Sequence, residues 1–334
     1  MIASAMRSGG LAIFSPNKSW MFPNIEPFES GMLAVGDNQE IYWECSGNPD
    51  GRPAVYLHGG PGSGCVAQNR RYFDPAIYRI ILADQRGCGR SRPQVGEISD
   101  LKVNTTAHLI ADLERLREHL GIDRWTVLGA SWGTTLGLAY AQAFPHRVAS
   151  MVLACVTTTS RREVRWITHD MGRIFPEQWE RFSAAGSHDR NRRNELADSY
   201  AALVFSADTA VREQAAREWC AWEDAHVSLV PGYVPSRRFE DPAFRLLFTR
   251  LVTHYWRHAA FLGEDQLIRN TAILNGIPGV LIHGRHDIST PLETAWRLHR
   301  AWRGSVLQII DAGHGGGTMP ESVAEAMNLT WAYT

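Results

Sequence analysis

No stretch of 18 consecutive apolar residues occurs in this 334-residue chain, so no membrane span is expected. Met1 to Pro16 carries one Arg and a four-residue apolar run, Leu11 to Phe14, too short for a signal-peptide core. An excess of either charge is also missing. The 34 Lys+Arg balance 35 Asp+Glu to a net charge of -1, leaving no global field to recruit nucleic acid or an anionic membrane. Only five cysteines are present (Cys45, Cys65, Cys88, Cys155, Cys220), odd in number, dispersed and without a CxxC pair, which argues against a disulfide framework and against a zinc site. A reducing cytoplasm fits that usage. Internal repeats and low-complexity segments are absent. The sequons at Asn17, Asn104 and Asn328 are read as chance. What remains is a soluble globular composition, 44% hydrophobic and 21% charged, large enough for one big core or a core with an insert.

Short apolar runs recur with helical stretches between them. Gly31 to Val35 and Glu40 to Cys45 read as an antiparallel pair turning at Gly36-Asp37-Asn38. Ala54 to Leu57, Arg79 to Ala83, Trp125 to Leu128, Met151 to Ala154, Gly279 to Ile282 and Val306 to Ile310 are continuous apolar runs, as expected of strands covered on both faces of a parallel sheet. Thr105 to Leu120 places Leu109, Leu113, Leu116 and Leu120 at helical spacing, and Thr134 to Phe144 is a second helix rich in Ala and Leu. The alternation stops near Val156 and resumes near Pro278. Between them, Arg161 to Gly263 carries Arg, Glu, Ala and Trp at helical spacing, broken at Pro176, Gly186, Pro231-Gly232 and Pro242. The expected organisation is a core over 1–156 and 271–334 with a helical cap over 157–270. The basic run Arg190 to Arg193 is flanked by Asp189, Glu195 and Asp198 and reads as a solvated helix face.

The chemistry centres on Gly129-Ala130-Ser131-Trp132-Gly133, a GxSxG element between a β-branched run and a small-residue helix. A nucleophile elbow needs a serine on a strained strand-to-helix turn, with glycines two positions either side where a Cβ would collide with neighbouring backbone. Ser131 is the candidate nucleophile; a plain Gly/Ser loop is the alternative. A serine hydroxyl also needs a base, an orienting acid and an oxyanion trap. Asp287 follows the seventh predicted strand in His283-Gly284-Arg285-His286-Asp287, and His314 follows the eighth in Asp311-Ala312-Gly313-His314. The order Ser, Asp, His is that of α/β-hydrolases. Asp311 is a geometrically poorer acid. His58-Gly59-Gly60-Pro61-Gly62-Ser63-Gly64 follows the third strand, and its bare backbone suits an oxyanion trap whose donors would be the amides of Gly60 and Trp132. It is not a phosphate loop, because no Lys-Ser/Thr pair follows. Asp84-Gln85-Arg86-Gly87-Cys88-Gly89-Arg90-Ser91 either braces that loop or ties down its own turn, and the second reading is preferred. His254 and His258 stand four apart but lack an acidic third ligand, so they read as satisfied or surface histidines. Cys65 and Cys88 sit in loops at the same end of the sheet, where thiol reagents would obstruct rather than remove a reacting group.

Together these residues resemble the prolyl aminopeptidases (proline iminopeptidases), α/β-hydrolase serine peptidases that release an N-terminal proline. The resemblance runs through Pro27 to Gly31, Tyr42 to Pro49, HGGPG from His58, DQRGCGRS from Asp84, Asn104-Thr105-Thr106, Ala111 to Arg117, SWGTTL from Ser131, Ala139-Tyr140-Ala141 with Pro145, and HGRHD from His283. It implies an eight-stranded, mainly parallel sheet with a helical cap, no metal or organic cofactor, and a small-molecule or short-peptide substrate. It also implies that cap carboxylates hold the substrate's free amine, because a desolvated ammonium needs such partners. Glu223, in Trp219-Cys220-Ala221-Trp222-Glu223, matches the first; Asp224 and Glu264 are nearby acids that could assist. Val252, in Val252-Thr253-His254-Tyr255-Trp256, stands where the family pattern has a second glutamate. Gly59 is expected at the substrate, and Trp222, Tyr255 and Trp256 as pocket walls. Two alternatives follow from Val252: a scaffold turned to a non-peptide amide, ester or lactone, or a ligand-binding relative without turnover. The oligomeric state is not legible in the sequence.

Overall fold

The computed structural model describes residues 21–97, 100–186, 196–227, 229 and 235–330. The Leu11–Phe14 run, the Asn17 sequon, the Arg190–Arg193 run and the Pro231-Gly232 break lie outside the described residues.

Eight strands form one sheet: β1 (Pro27–Gly36), β2 (Gln39–Gly47), β3 (Arg52–Leu57), β4 (Tyr78–Ala83), β5 (Trp125–Ala130), β6 (Val148–Ala154), β7 (Gly279–Gly284) and β8 (Ser305–Ile310). Their spatial order is β1-β2-β4-β3-β5-β6-β7-β8. The β1–β2 and β2–β4 pairs are antiparallel, and every pairing from β4 to β8 is parallel. Successive side chains of a strand point to opposite faces, so a strand covered on both must be apolar throughout. Val55, Leu57, Val127, Met151, Leu153 and Leu281 enter one core. Their neighbours Ala54, Tyr56, Leu128, Val152, Val280 and Ile282 enter the other. The unbroken apolar runs of the sequence are this two-sided burial.

Nine helices of eight residues or more are described: α1 (Thr106–His119), α2 (Trp132–Ala143), α3 (Arg161–Thr168), α4 (Pro176–Gly186), α5 (Leu196–Leu203), α6 (Thr209–Val227), α7 (Pro242–Arg257), α8 (Leu292–Ala301) and α9 (Met319–Thr330). Leu109, Leu113 and Leu116 form the buried stripe of α1, as their spacing requires. Met319, Val323 and Met327 of α9 close the second core. Helices α3 to α7 all fall between β6 and β7, the stretch expected to be helical. Helix α7 starts sharply because the Asp241 side chain accepts from the Ala243 amide and Pro242 occupies the first turn. Among the described residues, no helix is long and apolar enough to cross a membrane.

Candidate active site

The loops that follow β3, β5, β6, β7 and β8 all leave the carboxyl ends of neighbouring parallel strands, the edge at which open α/β sheets place their ligands. Ser131 sits where β5 turns into α2, at φ 53 and ψ -123, a left-handed backbone that a non-glycine residue adopts at a cost of roughly 1–3 kcal/mol. The two flanking glycines make the turn possible. A Cβ at Gly129 would stand 2.5 Å from the Gly133 carbonyl oxygen, and one at Gly133 would overlap the Leu57 carbonyl of β3. The α2 helix can therefore press its first turn onto the neighbouring strand and hold the hydroxyl at the sheet edge.

His314 Nε2 lies 3.0 Å from Ser131 Oγ, and its Nδ1 lies 2.9 Å from Asp287 Oδ2. The relay joins three side chains from three different loops. Asp287 is 5% exposed, and its two oxygens accept from the Thr290 amide and hydroxyl. Burial pushes its carboxyl up, but the His314 ring and these hydrogen bonds outweigh burial and hold it below the ordinary aspartate range. Burial opposes charge on His314 as well; the Asp287 carboxylate, aided by Glu223, outweighs it and raises the imidazole above its ordinary value. His283, buried at the end of β7, bridges the Val156 amide and the Thr290 carbonyl and fixes the Asp287 loop to the end of β6. Asp311 is turned to solvent and pairs with His286 Nε2 at 2.8 Å, away from the relay. Among the described His, Cys and acidic side chains, the one group of three close enough to share an ion is Cys155, Asp287 and His314, two of which are members of the relay.

Gly60 and Trp132 lie with Ser131 on the wall of a cavity that also takes in His314, Glu223 and Trp256. Trp132 is the first residue of α2, so its amide has no acceptor within the helix. Gln85 ties the start of the glycine-rich loop to Trp132. Its side-chain amide donates to the His58 carbonyl at 3.0 Å, its backbone amide donates to His58 Nε2 at 3.1 Å, and its Oε1 accepts from Trp132 Nε1 at 2.9 Å. Asp84 accepts from the Cys65 amide at 2.7 Å while pairing with Arg90, anchoring the far end of the same loop. The preferred reading of DQRGCGRS as a self-contained turn is thus incomplete, because Gln85 and Asp84 both reach the glycine-rich loop. Arg86 does serve a structural turn: it is 2% exposed and forks onto Asp112 of α1.

The cap supplies the opposite wall. Glu223 and His226 of α6 and Trp256 of α7 line the cavity that holds Ser131 and His314. The His314 amide donates to the Val227 carbonyl at the end of α6, so the base and this wall are positioned together. Glu223 is 9% exposed and accepts from Trp219 Nε1 at 3.2 Å; burial pushes its carboxyl up to about 7. Of the expected aromatic walls, only Trp256 lines the cavity. Trp222 is turned into the cap core, where it stacks on Phe182 and donates to the Ile167 carbonyl. Tyr255 packs on Trp132 and donates to Asn104 Oδ1. Gly59 lies behind the nucleophile, where a Cβ would meet Ser131 Cβ at 3.2 Å. Asp224 and Glu264 are not among the lining residues, and Val252 is 0% exposed within the apolar core. His254 is satisfied by the Asn104 carbonyl at 2.8 Å. Gln85 and His226 were missed in the sequence: Gln85 is uncharged among charged neighbours, and the signal for His226 is its i+3 spacing from Glu223.

Parallel strands in this order, carrying a Ser131–His314–Asp287 relay on loops at their carboxyl ends, define the α/β-hydrolase class, and a family model described as alpha/beta hydrolase fold matches residues 53–316. A Streptomyces coelicolor protein described as "Probable proline iminopeptidase" is 53% identical over 304 residues, covering 89% of this chain and 93% of its own. A Xanthomonas citri proline iminopeptidase is 42% identical over 318 residues, covering 93% and 98%. The chain belongs to the proline iminopeptidase family. Two solved structures share the fold at lower identity. The Mycobacterium smegmatis proline iminopeptidase has a TM-score of 0.60 at 22% identity, covering 90% of this chain and 98% of its own. A Bacillus anthracis bromoperoxidase has a TM-score of 0.62 at 20% identity, covering 91% and 100%.

Proposed function

We propose that this chain is an aminopeptidase that releases an N-terminal proline, or another small residue, from peptides and short amides through an acyl-enzyme on Ser131. His314 takes the hydroxyl proton as Ser131 Oγ attacks the carbonyl, and the Gly60 and Trp132 amides receive the oxyanion. His314 then returns the proton to the leaving amine, and water repeats the sequence to free the acid. Asp287 holds the imidazole in the right tautomer and stabilises its cation. The observation that carries the reading is Glu223, a carboxylate enclosed in the same cavity as the nucleophile. A buried carboxylate pushed up to about 7 is stabilised when a cation enters beside it, and a substrate's free ammonium is such a cation.

A second reading rests on Val252. A family scaffold without the glutamate at that position would act on a non-peptide amide, ester or lactone, although Val252 itself is buried in the apolar core and not on the cavity wall. An intact relay disfavours a ligand binder without turnover. Five free thiols go with a reducing, cytoplasmic setting. Prolyl-, alanyl- and N-acetyl-prolyl-arylamides assayed side by side test the main reading. Preference for the free amine supports the aminopeptidase; indifference to blocking it overturns that reading in favour of the second.

A further inference from the structure

An N-terminal proline presents a secondary ammonium, whose two N–H bonds both need acceptors once water is excluded. Glu223 can take one of them. The other carboxylate on the cavity wall, Glu163, already accepts from Thr157, Thr158, Ser160 and Thr294. A further acceptor is needed, and α6 provides it one turn beyond Glu223.

His226 is 1% exposed and lines the cavity. Its Nδ1 lies 2.8 Å from Ser289 Oγ, and the same hydroxyl lies 2.8 Å from the His226 carbonyl oxygen. A hydroxyl has one proton. Given to the carbonyl, it obliges Nδ1 to carry the ring proton and donate it to Ser289, which leaves the lone pair on Nε2. Nε2 is buried, has no hydrogen-bond partner among the described residues, and stands 3.7 Å from Glu223 Oε2. Burial, with the nearby His314 acting in the same sense, depresses this imidazole to about 3, so the ring is a neutral acceptor. An unpaired acceptor this deeply buried is unfavourable and is satisfied when a donor arrives.

We propose that His226 Nε2 accepts the second N–H of the substrate ammonium, so that Glu223 and His226 form a two-point amine site and His226 is a specificity-determining residue. This rests on the aminopeptidase reading and adds a residue to it.

The test compares two substrates in the wild type, His226→Phe and His226→Gln. One is prolyl-4-nitroanilide; the other is 4-nitrophenyl cyclopentanecarboxylate, which has the same ring without the nitrogen. The expected result for His226→Phe is a loss of about 10- to 100-fold in kcat/KM on the prolyl substrate, carried mainly by KM, with a much smaller loss on the cyclopentane ester. His226→Gln, which keeps a side-chain acceptor, restores part of the loss. Equal losses on both substrates in either variant, or no loss on the prolyl substrate, overturn the proposal. So does 15N NMR that finds the His226 proton on Nε2 in the wild type. A wild type that does not favour the free amine instead overturns the functional reading, which keeps the two failures distinct.

Discussion

Replacing Glu223 by Gln should make the protein more stable and less active at the same time. In the folded chain this carboxyl holds its proton up to pH of about 7, against 4.5 for an ordinary glutamate, because burial penalises the charge. Between those values the folded state carries a proton that the unfolded state has released, so stability falls as pH rises through the window. At about 1.4 kcal/mol per tenfold, ionised Glu223 costs up to about 3 kcal/mol above pH 7. Glu223→Gln removes that cost while its Oε1 still accepts from Trp219 and its amide can donate to His226. The same substitution deprives a substrate ammonium of its counter-charge. Breaking one side of a buried ion pair typically costs about 3–5 kcal/mol, a loss in kcat/KM of a few hundredfold to a few thousandfold on prolyl-arylamide. Urea melts at pH 5 and pH 8 read the first effect and steady-state kinetics the second. A variant that is equally stable, or less stable, at pH 8 refutes the burial argument; one that cleaves prolyl-arylamide normally refutes the amine role.

Glu223 also helps to raise His314, so Glu223→Gln should move the acid limb of hydrolysis of the cyclopentane ester to lower pH, while the wild-type limb lies above the ordinary imidazole value. An unmoved limb would separate the two groups. Gln85→Leu cuts the link between His58 and Trp132 and should lower kcat by about 10- to 100-fold with less change in KM, as expected when an oxyanion donor is displaced; a pure KM effect would contradict that role. Arg86→Met takes the two-point partner from buried Asp112, leaving it only Arg115 at 3.8 Å among the described residues, and should destabilise by up to about 3–5 kcal/mol at neutral pH, less in acid where Asp112 protonates, as read by urea melts at both pH values. Val252→Glu places a carboxylate inside an apolar core rather than at the cavity, so it should lower the melting temperature without improving proline release; improved release would place residue 252 at the substrate.

The parallel sheet was legible because two-sided burial leaves unbroken apolar runs, and all eight predicted strands are present. Their ends were less legible. Strand β1 begins at Pro27, four residues before the predicted Gly31, because an edge strand facing solvent does not need apolar side chains. The elbow was readable because its glycines are a requirement of local backbone geometry, and Asp287 and His314 because each follows a predicted strand in the order the α/β-hydrolase topology sets. The cavity walls were not. Trp222, Tyr255 and Trp256 are equally apolar in sequence, and only the crossing of α6 and α7 decides which of them faces Ser131. His226 escaped notice for a related reason: a lone histidine on an apolar helix face usually has both nitrogens satisfied, and it is the packing of α6 against Ser289 that engages Nδ1 and leaves Nε2 unpaired among the described residues.

Every step of the proposed reaction requires Ser131 to be a hydroxyl activated by His314. Reaction with a fluorophosphonate, followed by peptide mapping, tests this without reference to any substrate. The expected result is one adduct per chain, on Ser131, formed faster as pH rises through the raised pKa of His314, with no adduct and no turnover in a folded Ser131→Ala variant. Labelling at another residue, or hydrolysis that survives Ser131→Ala, would contradict it.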